Sequence, residues 1–164
     1  LKKTYHSFLI NYLIFQNYKL FWINALNIKD RSRRKEYWYP FLMTIIISFI
    51  ASILNYILPI PNILSEIIYW IFNIATIVAS FTVMVRRFHD IGMSMLLPLI
   101  FYISPIIGFI LVSINPEAVS SLEGSLVLVI VNVLYLIFSL IVLAICCTYG
   151  HKDKNKYSIN PKTI

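Results

Sequence analysis

Residues 126–147 read LVLVIVNVLYLIFSLIVLAICC, a mostly apolar run that contains no charge. An α-helix needs about 20 such residues to cross about 30 Å of hydrocarbon, and this run is long enough. Its apolar side chains occur on all sides instead of alternating with polar ones, as they would in a barrel strand. Because backbone polar groups in lipid must be satisfied within the segment, the run predicts a transmembrane helix.

Three further stretches have the same character. The predicted spans lie at about residues 41–58, 63–85, 95–114 and 126–147. Two prolines and a glycine interrupt the third of them. The whole chain is 59% apolar and 13% charged, with a mean hydropathy of +0.78. Soluble domains are about 45–50% apolar. The composition therefore excludes an ordinary soluble domain and predicts an integral membrane protein.

The predicted fold is all-α, a four-transmembrane-helix bundle with an N-terminal amphipathic, interfacial helix. The bundle occupies residues 29–147, preceded by an interfacial segment at 1–28 and followed by a hydrophilic tail at 148–164. The stretch 8–28 has two interpretations, an interfacial helix or a fifth span. Lys19 near its middle would cost roughly 2.5–3.5 kcal/mol in a span, which favours the interfacial helix.

The positions of Lys and Arg predict the orientation. Eight of the 14 precede the first span, two lie between the second and third spans, and four lie in the tail. The other two loops contain none. Because basic residues favour the cytoplasmic side, this distribution predicts that both termini and the middle loop are cytoplasmic. A multi-pass protein of the cell membrane is therefore expected.

The densest basic cluster lies immediately before the first span. Its candidate site residues are Arg31, Arg33, Arg34, Lys35, Tyr37 and Trp38. The aromatic rings suit the depth of lipid head groups, and the cations suit anionic lipid phosphates. A topology anchor, an anionic-lipid site and an acidic-partner site are all consistent with this pattern. Nucleic-acid binding is not expected, because no soluble domain is present to carry the cluster.

A second polar cluster follows the second predicted span. It contains Arg86, Arg87, His89 and Asp90, and it is predicted to be a short loop. We expect Asp90 to pair with Arg86 or Arg87 in an ion network that joins the cytoplasmic segments. A His beside an Asp invites a catalytic interpretation, but no Ser or Cys nucleophile has a defined partner. The sequence predicts no enzyme, no metal site and no cofactor.

These clusters, taken with the tail, resemble a known family. The matching segments are 31–38, 86–92 with Ser94, and 155–161, and together they resemble the DUF805 family of small bacterial inner-membrane proteins. The resemblance covers about residues 17–161. Met93 stands where the family often has Lys, the third span lacks a common Trp, and Ser158 stands where Gly is frequent. The resemblance implies four spans and cytoplasmic termini, and it implies no biochemical activity.

Polar residues inside the predicted spans are the remaining candidates. Asn73 and Asn132 lie near mid-membrane, where an Asn is expected to hydrogen-bond between helices. Glu66 lies nearer the outer interface. The leading hypothesis is a non-catalytic scaffold or regulator, with the bilayer, anionic lipids and a membrane-protein partner or second copy as its partners. The alternative is a small transporter or channel subunit lined by these polar residues, and a lipid-modifying enzyme ranks third.

Overall fold

All regular secondary structure in the described part of the chain is helical. The structure, a computed structural model, describes residues 2–57, 62–117, 121–151 and 155–157. These residues form five long helices and no strand: α1 (Lys2–Ile23), α2 (Arg34–Ile57), α3 (Asn62–Asp90), α4 (Leu96–Ile114) and α5 (Leu122–Cys147). The predicted all-α class is confirmed. Helices α2 to α5 are long and apolar enough to cross a membrane, as predicted for four spans.

Two helices extend beyond the predicted spans into the charged motifs. Helix α2 begins at Arg34, and Glu36 in its first turn accepts a hydrogen bond from the Arg33 backbone N at 3.3 Å. Helix α3 continues to Asp90, so the prediction of a loop from residue 86 is wrong. The helix continues because its last charged side chains are paired inside the protein. The turn predicted at residues 59–62 falls largely outside the described residues.

Helix α4 is continuous. Pro105 lies inside it and Pro98 lies in its first turn, yet the helix extends unbroken from Leu96 to Ile114. A proline in the first turn lacks an N–H that would have no intrahelical partner anyway. The predicted interruption of the third span is therefore wrong. Helix α5 begins with a side-chain cap, since Ser121 Oγ accepts a hydrogen bond from the Gly124 backbone N at 3.0 Å.

Helix α3 is the central element, since it packs against each of the other four helices. Most of the apolar surface of the bundle faces outward. In the most apolar stretches of α2, α4 and α5 only 6% of residues are buried, against 22% in α3. An outward apolar surface of this extent suits a lipid solvent. The described residues therefore contain little apolar core along most of the helix length.

The buried residues concentrate at one end of the bundle. We call the end where α2 begins and α3 ends the motif end. Residues 82–90 of α3 are all buried there. They pack with Phe21 of α1, Tyr37 of α2 and Cys146 of α5. The neighbouring Cys147 is exposed, and both thiols are free. The core therefore coincides with the polar motifs that the sequence singled out.

Helix α1 packs mainly against α2 and to a lesser extent against α3. Its C-terminal turn contributes Phe21 to the core, and the Trp22 ring lies 6.3 Å from the ring of Phe72 on α3. Asn17 is buried, and its side-chain amide donates to the Leu13 carbonyl oxygen at 2.6 Å. Helix α1 is not among the four helices suited to spanning a membrane. Its interfacial position stays a prediction.

Candidate functional site

A carboxylate held between two arginines forms the centre of the motif end. Asp90 Oδ1 accepts from Arg31 Nε at 2.9 Å and lies 2.8 Å from Arg31 Nη2, and its Oδ2 pairs with Arg87 Nη1. The side chains of Arg31, Arg87 and Asp90 are 0%, 1% and 8% exposed. We call these three residues the Asp90 clamp. Burial in a low-dielectric region makes such pairing necessary, because an unpaired buried charge is strongly destabilising.

The two arginines of the clamp also bind backbone carbonyls. Arg87 donates through Nε to the Cys146 oxygen at 3.1 Å and through Nη2 to the Thr148 oxygen. These carbonyls belong to the end of α5, where the last four have no intrahelical partner. A cation at this position also interacts favourably with the helix dipole. Arg87 therefore caps the end of α5 while it pairs with Asp90 on its own helix, α3.

The segment before α2 joins the same network. Arg87 Nη1 donates to the Ser32 carbonyl oxygen at 3.3 Å, and the Ser32 backbone N donates to the Arg86 carbonyl oxygen at 3.1 Å. The Ser32 hydroxyl donates to Glu36 at 3.1 Å. The beginning of α2 is therefore fixed to the end of α3 by hydrogen bonds in both directions.

The tail donates hydrogen bonds to carbonyl oxygens at the end of α3. His151 N donates to the Asp90 carbonyl oxygen at 2.9 Å, and Asn155 Nδ2 donates to the His89 carbonyl oxygen at 2.7 Å. The Tyr157 ring stacks on the His89 ring at a centroid distance of 3.7 Å. Like the end of α5, the end of α3 thus receives donors from elsewhere in the chain. The first two motif segments and residues 155–157 of the third therefore meet at this one place.

Two glycines make this close approach sterically feasible. A Cβ at Gly150 would overlap the carboxylate of Asp90, so only glycine lets the tail pass over the clamp. Gly92 has a φ of 81°, a left-handed conformation that glycine adopts without strain. It turns the chain between α3 and α4. Gly150 was not singled out by the sequence, because its role depends on a contact with a residue far away in the chain.

The basic residues of the two predicted clusters fall into a buried group and a more exposed group. Arg31 and Arg87 are buried in the clamp and so cannot contact lipid head groups, and Arg87 rather than Arg86 pairs with Asp90. Arg86 is also buried, and its Nε has no hydrogen-bond partner among the described residues. Arg33 lies 3.7 Å from Glu36, and Lys35 is exposed.

Helix α2 also carries an arginine that binds no carboxylate among the described residues. The Arg34 guanidinium lies 3.9 Å from the centroid of the Tyr149 ring, and its Nη1 is 3.5 Å from the Cys147 oxygen. Tyr37 is buried, and Trp38 packs edge-on against it. The aromatic residues of the motif therefore contribute to the protein core as well as to its surface.

The intramembrane asparagines bond to their own helices. Asn73 Nδ2 donates to the Tyr69 oxygen and Asn132 Nδ2 to the Leu128 oxygen, each at 2.8 Å. The prediction of hydrogen bonds between helices is therefore wrong. A side-chain amide four residues after a carbonyl can reach it locally, and this satisfies the amide without a partner helix. Glu66 is exposed near the beginning of α3.

A cavity of about 430 Å³ lies beside the core, between the five helices. Its lining is mostly apolar and aromatic, including Phe21, Tyr37, Phe41 and Tyr102. Neither predicted intramembrane asparagine contributes to it. Among the described residues, no three His, Cys, Asp or Glu side chains lie close enough to hold a metal ion.

Comparison with known proteins agrees with the motifs. Residues 25–159 match the family described as "Protein of unknown function (DUF805)". The chain is 25% identical to "Inner membrane protein YhaI" of Escherichia coli (strain K12), over 85% of this chain and 89% of that protein. It is 33% identical to "Inner membrane protein YhaH" of the same organism, over 54% of this chain and 74% of that protein. No solved structure matches it significantly. The match to more than half of the chain, together with four helices suited to spanning a membrane, shows that this integral membrane protein belongs to the DUF805 family.

Proposed function

We propose that this protein is a non-catalytic scaffold or regulator in the bacterial inner membrane. The motif end, with both termini, faces the cytoplasm in this proposal. The named relatives are inner membrane proteins, and all 14 Lys and Arg residues then lie on the cytoplasmic side. The motif end would present a fixed surface to an acidic membrane-protein partner or to a second copy of the chain.

The Asp90 clamp is the observation that carries this proposal. It joins the segment before α2, the end of α3, the end of α5 and the tail through buried polar bonds. The charged motifs are thus used mainly to hold one another. Three lysines remain exposed around this network, and we call them the basic rim: Lys29, Lys35 and Lys156. A rigid platform with a basic rim suits binding rather than chemistry.

The geometry gives less support to the rival functions. Both oxygens of Asp90 are engaged by arginines, and His89 is stacked against Tyr157, so neither is positioned as an acid or base next to a nucleophile. A transport path would need a polar lining across the membrane. Asn73 and Asn132 satisfy their own helices and lie outside the cavity.

Orientation can be tested by cysteine labelling in intact cells, in a variant whose two native cysteines are replaced by Ala. Asn115→Cys lies at the end of α4, away from the motif end, and should react with a membrane-impermeant maleimide. Lys35→Cys lies at the motif end and should react only after the membrane is permeabilised. Labelling in the reverse pattern would show that the proposed orientation is wrong.

The scaffold proposal can be tested by crosslinking in cells followed by purification. Replacing the three lysines of the basic rim by Gln should abolish the specific crosslinked species, because their charges would contact the partner. Lys19→Gln, which neutralises an exposed lysine on α1 outside the rim, is the matched control and should leave it intact. Crosslinked species that persist in the triple variant would contradict the proposal. Solute flux through purified protein in vesicles would favour the transporter alternative.

A further inference from the structure

We propose that the cavity beside the core binds one acyl chain of a phospholipid from the leaflet at the motif end, with the lipid phosphate at Arg34. This inference concerns the membrane-spanning part of the bundle and does not depend on the scaffold proposal. It rests on where the cavity opens, how deep it is, what lines it and which cation lies above it.

The cavity opens sideways toward lipid. Phe41 and Ile45 of α2 belong to its lining and are 40% and 52% exposed, whereas the linings from the other helices are buried or half-buried. Both residues lie within a predicted span, one turn apart on the same face of α2. The entrance is therefore in the hydrocarbon region. The molecules present there are lipid chains, so the occupant reaches the cavity from the bilayer rather than from water.

The depth of the cavity matches one leaflet. Its lining on α2 extends from Tyr37 to Ile45, and eight residues of helix cover about 12 Å. Its lining on α5 extends from Tyr135 to Leu143, which is the same length. Half of the hydrocarbon thickness is about 15 Å. Since Tyr37 lies in the first turn of α2, the cavity lies in the half of the bundle nearest the motif end.

The lining offers little to a polar ligand. The Ser139 hydroxyl donates to the Leu136 oxygen at 2.7 Å, and the Tyr135 hydroxyl donates to the Phe101 oxygen at 3.4 Å. These hydroxyls are thus satisfied by the protein. Thr44 Oγ1 has no hydrogen-bond partner in the described part of the chain, but this atom is buried and is not presented to a ligand in the cavity. An empty space would deprive the aromatic walls of contact partners. A flexible hydrocarbon chain fills an irregular space of about 430 Å³, a size usual for ligand sites.

Arg34 is placed to hold the head group. It precedes Phe41 by seven residues, so both lie on the same face of α2 and about 10 Å apart along the axis. Its guanidinium rests on the Tyr149 ring, and no carboxylate among the described residues forms an ion pair with it. A guanidinium binds phosphate through paired hydrogen bonds. A phospholipid whose chain enters beside Phe41 would therefore place its phosphate near this cation.

Photo-crosslinking tests the acyl-chain site directly. The full chain is reconstituted in vesicles that contain a trace of phosphatidylglycerol carrying a diazirine in the middle of one acyl chain. After irradiation, adducts are mapped by peptide mass spectrometry. We expect them to concentrate on the cavity lining, for example on Met84 and Leu143, rather than on outward residues such as Phe49 and Ile137.

Matched variants separate cavity binding from general lipid contact. Thr44→Phe fills the cavity from α2 and should reduce the adducts on Met84 and Leu143 several-fold. Ser48→Phe adds the same ring one turn further along α2 at an exposed position, and it should leave them unchanged. Ser139→Phe fills the cavity from α5 and replaces Thr44→Phe if that variant fails to fold.

A second measurement tests the head-group contact. Arg34→Gln should lower the fraction of purified protein that retains phosphatidylglycerol in native mass spectrometry, whereas Lys19→Gln, which removes an exposed cation outside the basic rim, should not. Equal retention in these two variants would overturn the assignment of the phosphate to Arg34. Adducts spread evenly over outward residues and insensitive to Thr44→Phe would overturn the acyl-chain site. Preferential labelling of the cavity by a photoreactive polyprenol would overturn the choice of a phospholipid.

Discussion

Replacing Asp90 by Asn removes the negative charge that the two buried arginines of the clamp share. Arg31 and Arg87 each pair with one of its oxygens, and their side chains are 0% and 1% exposed. Asn can still accept a hydrogen bond, but it cannot neutralise either guanidinium. The variant therefore leaves two cations in a low-dielectric region without the carboxylate that neutralises them.

The expected loss of stability is large. Removing one partner of a buried ion pair costs about 3–5 kcal/mol. Because the introduced amide retains part of the hydrogen bonding, we expect a loss at the lower end of that range, about 3 kcal/mol, for Asp90→Asn. For a chain of this length, 1 kcal/mol corresponds to roughly 2–4 °C in the melting temperature, so Tm should fall by roughly 6–12 °C.

Thermal unfolding of the purified protein in detergent, followed by tryptophan fluorescence, measures this change. The control is Glu117→Gln, which removes an exposed carboxylate beyond the far end of α4. Exposed ion pairs contribute about 0–1 kcal/mol, so this variant should melt within about 4 °C of the unmodified protein. Equal and small shifts for the two variants would refute the view that the clamp stabilises the bundle.

A double-mutant cycle tests the pairing itself. Arg31→Gln combined with Asp90→Asn leaves one uncompensated cation fewer than Asp90→Asn alone. The double variant should therefore be more stable than the sum of the two single losses predicts. Additive losses would mean that Arg31 and Asp90 do not interact in the folded protein, whatever their distance in the structure.

Three further outcomes are expected from the same unfolding assay and from proteolysis. Gly150→Ala should lower stability by about 1–3 kcal/mol, because the added Cβ would overlap the Asp90 carboxylate. Gly108→Ala is the control: its added Cβ would meet open space, so stability should be unchanged or rise by up to about 1 kcal/mol. Tyr157→Ala should speed trypsin cleavage of the tail, since the lost ring stack contributes about 0.5–1.5 kcal/mol. Asn132→Leu should change stability by less than about 1 kcal/mol, because its amide bonds to its own helix; a larger loss would restore a role between helices.

Hydropathy predicted the spans because it measures apolar character, which a helix needs in order to cross the hydrocarbon of a bilayer. It failed at the end of α3, where residues 86–90 look like a polar loop and yet continue the helix. Charge is a poor guide to exposure when the charges are paired, and pairing is a property of the fold. The predicted pairing of Asp90 with Arg86 or Arg87 was right for Arg87, but Arg31, for which an anchor, a lipid site and a partner site were all left open, was not predicted as the second partner of Asp90.

The sequence also does not show which basic residue pairs with Asp90. Arg31 and Asp90 are 59 positions apart, and 14 basic residues compete for the position. Charge complementarity alone cannot choose among them without the packing of α2 on α3. The error for the intramembrane asparagines is of the opposite kind. They were predicted to hydrogen-bond to another helix, but the Asn73 amide bonds to a carbonyl oxygen four residues earlier in its own helix.

The clamp explains how weakly packed apolar helices can adopt one arrangement. In a bilayer, apolar contact between helices has little advantage over apolar contact with lipid tails, so it does not specify which helices are neighbours. Directional polar bonds do specify neighbours, because leaving them unmade is costly in a low-dielectric region. In this protein such bonds concentrate at the motif end, where the Arg87 side chain joins the ends of α3 and α5 to the segment before α2. The spans can therefore be built from interchangeable Ile, Leu and Val side chains. The identity of the fold then depends on a few polar residues outside the most apolar stretches.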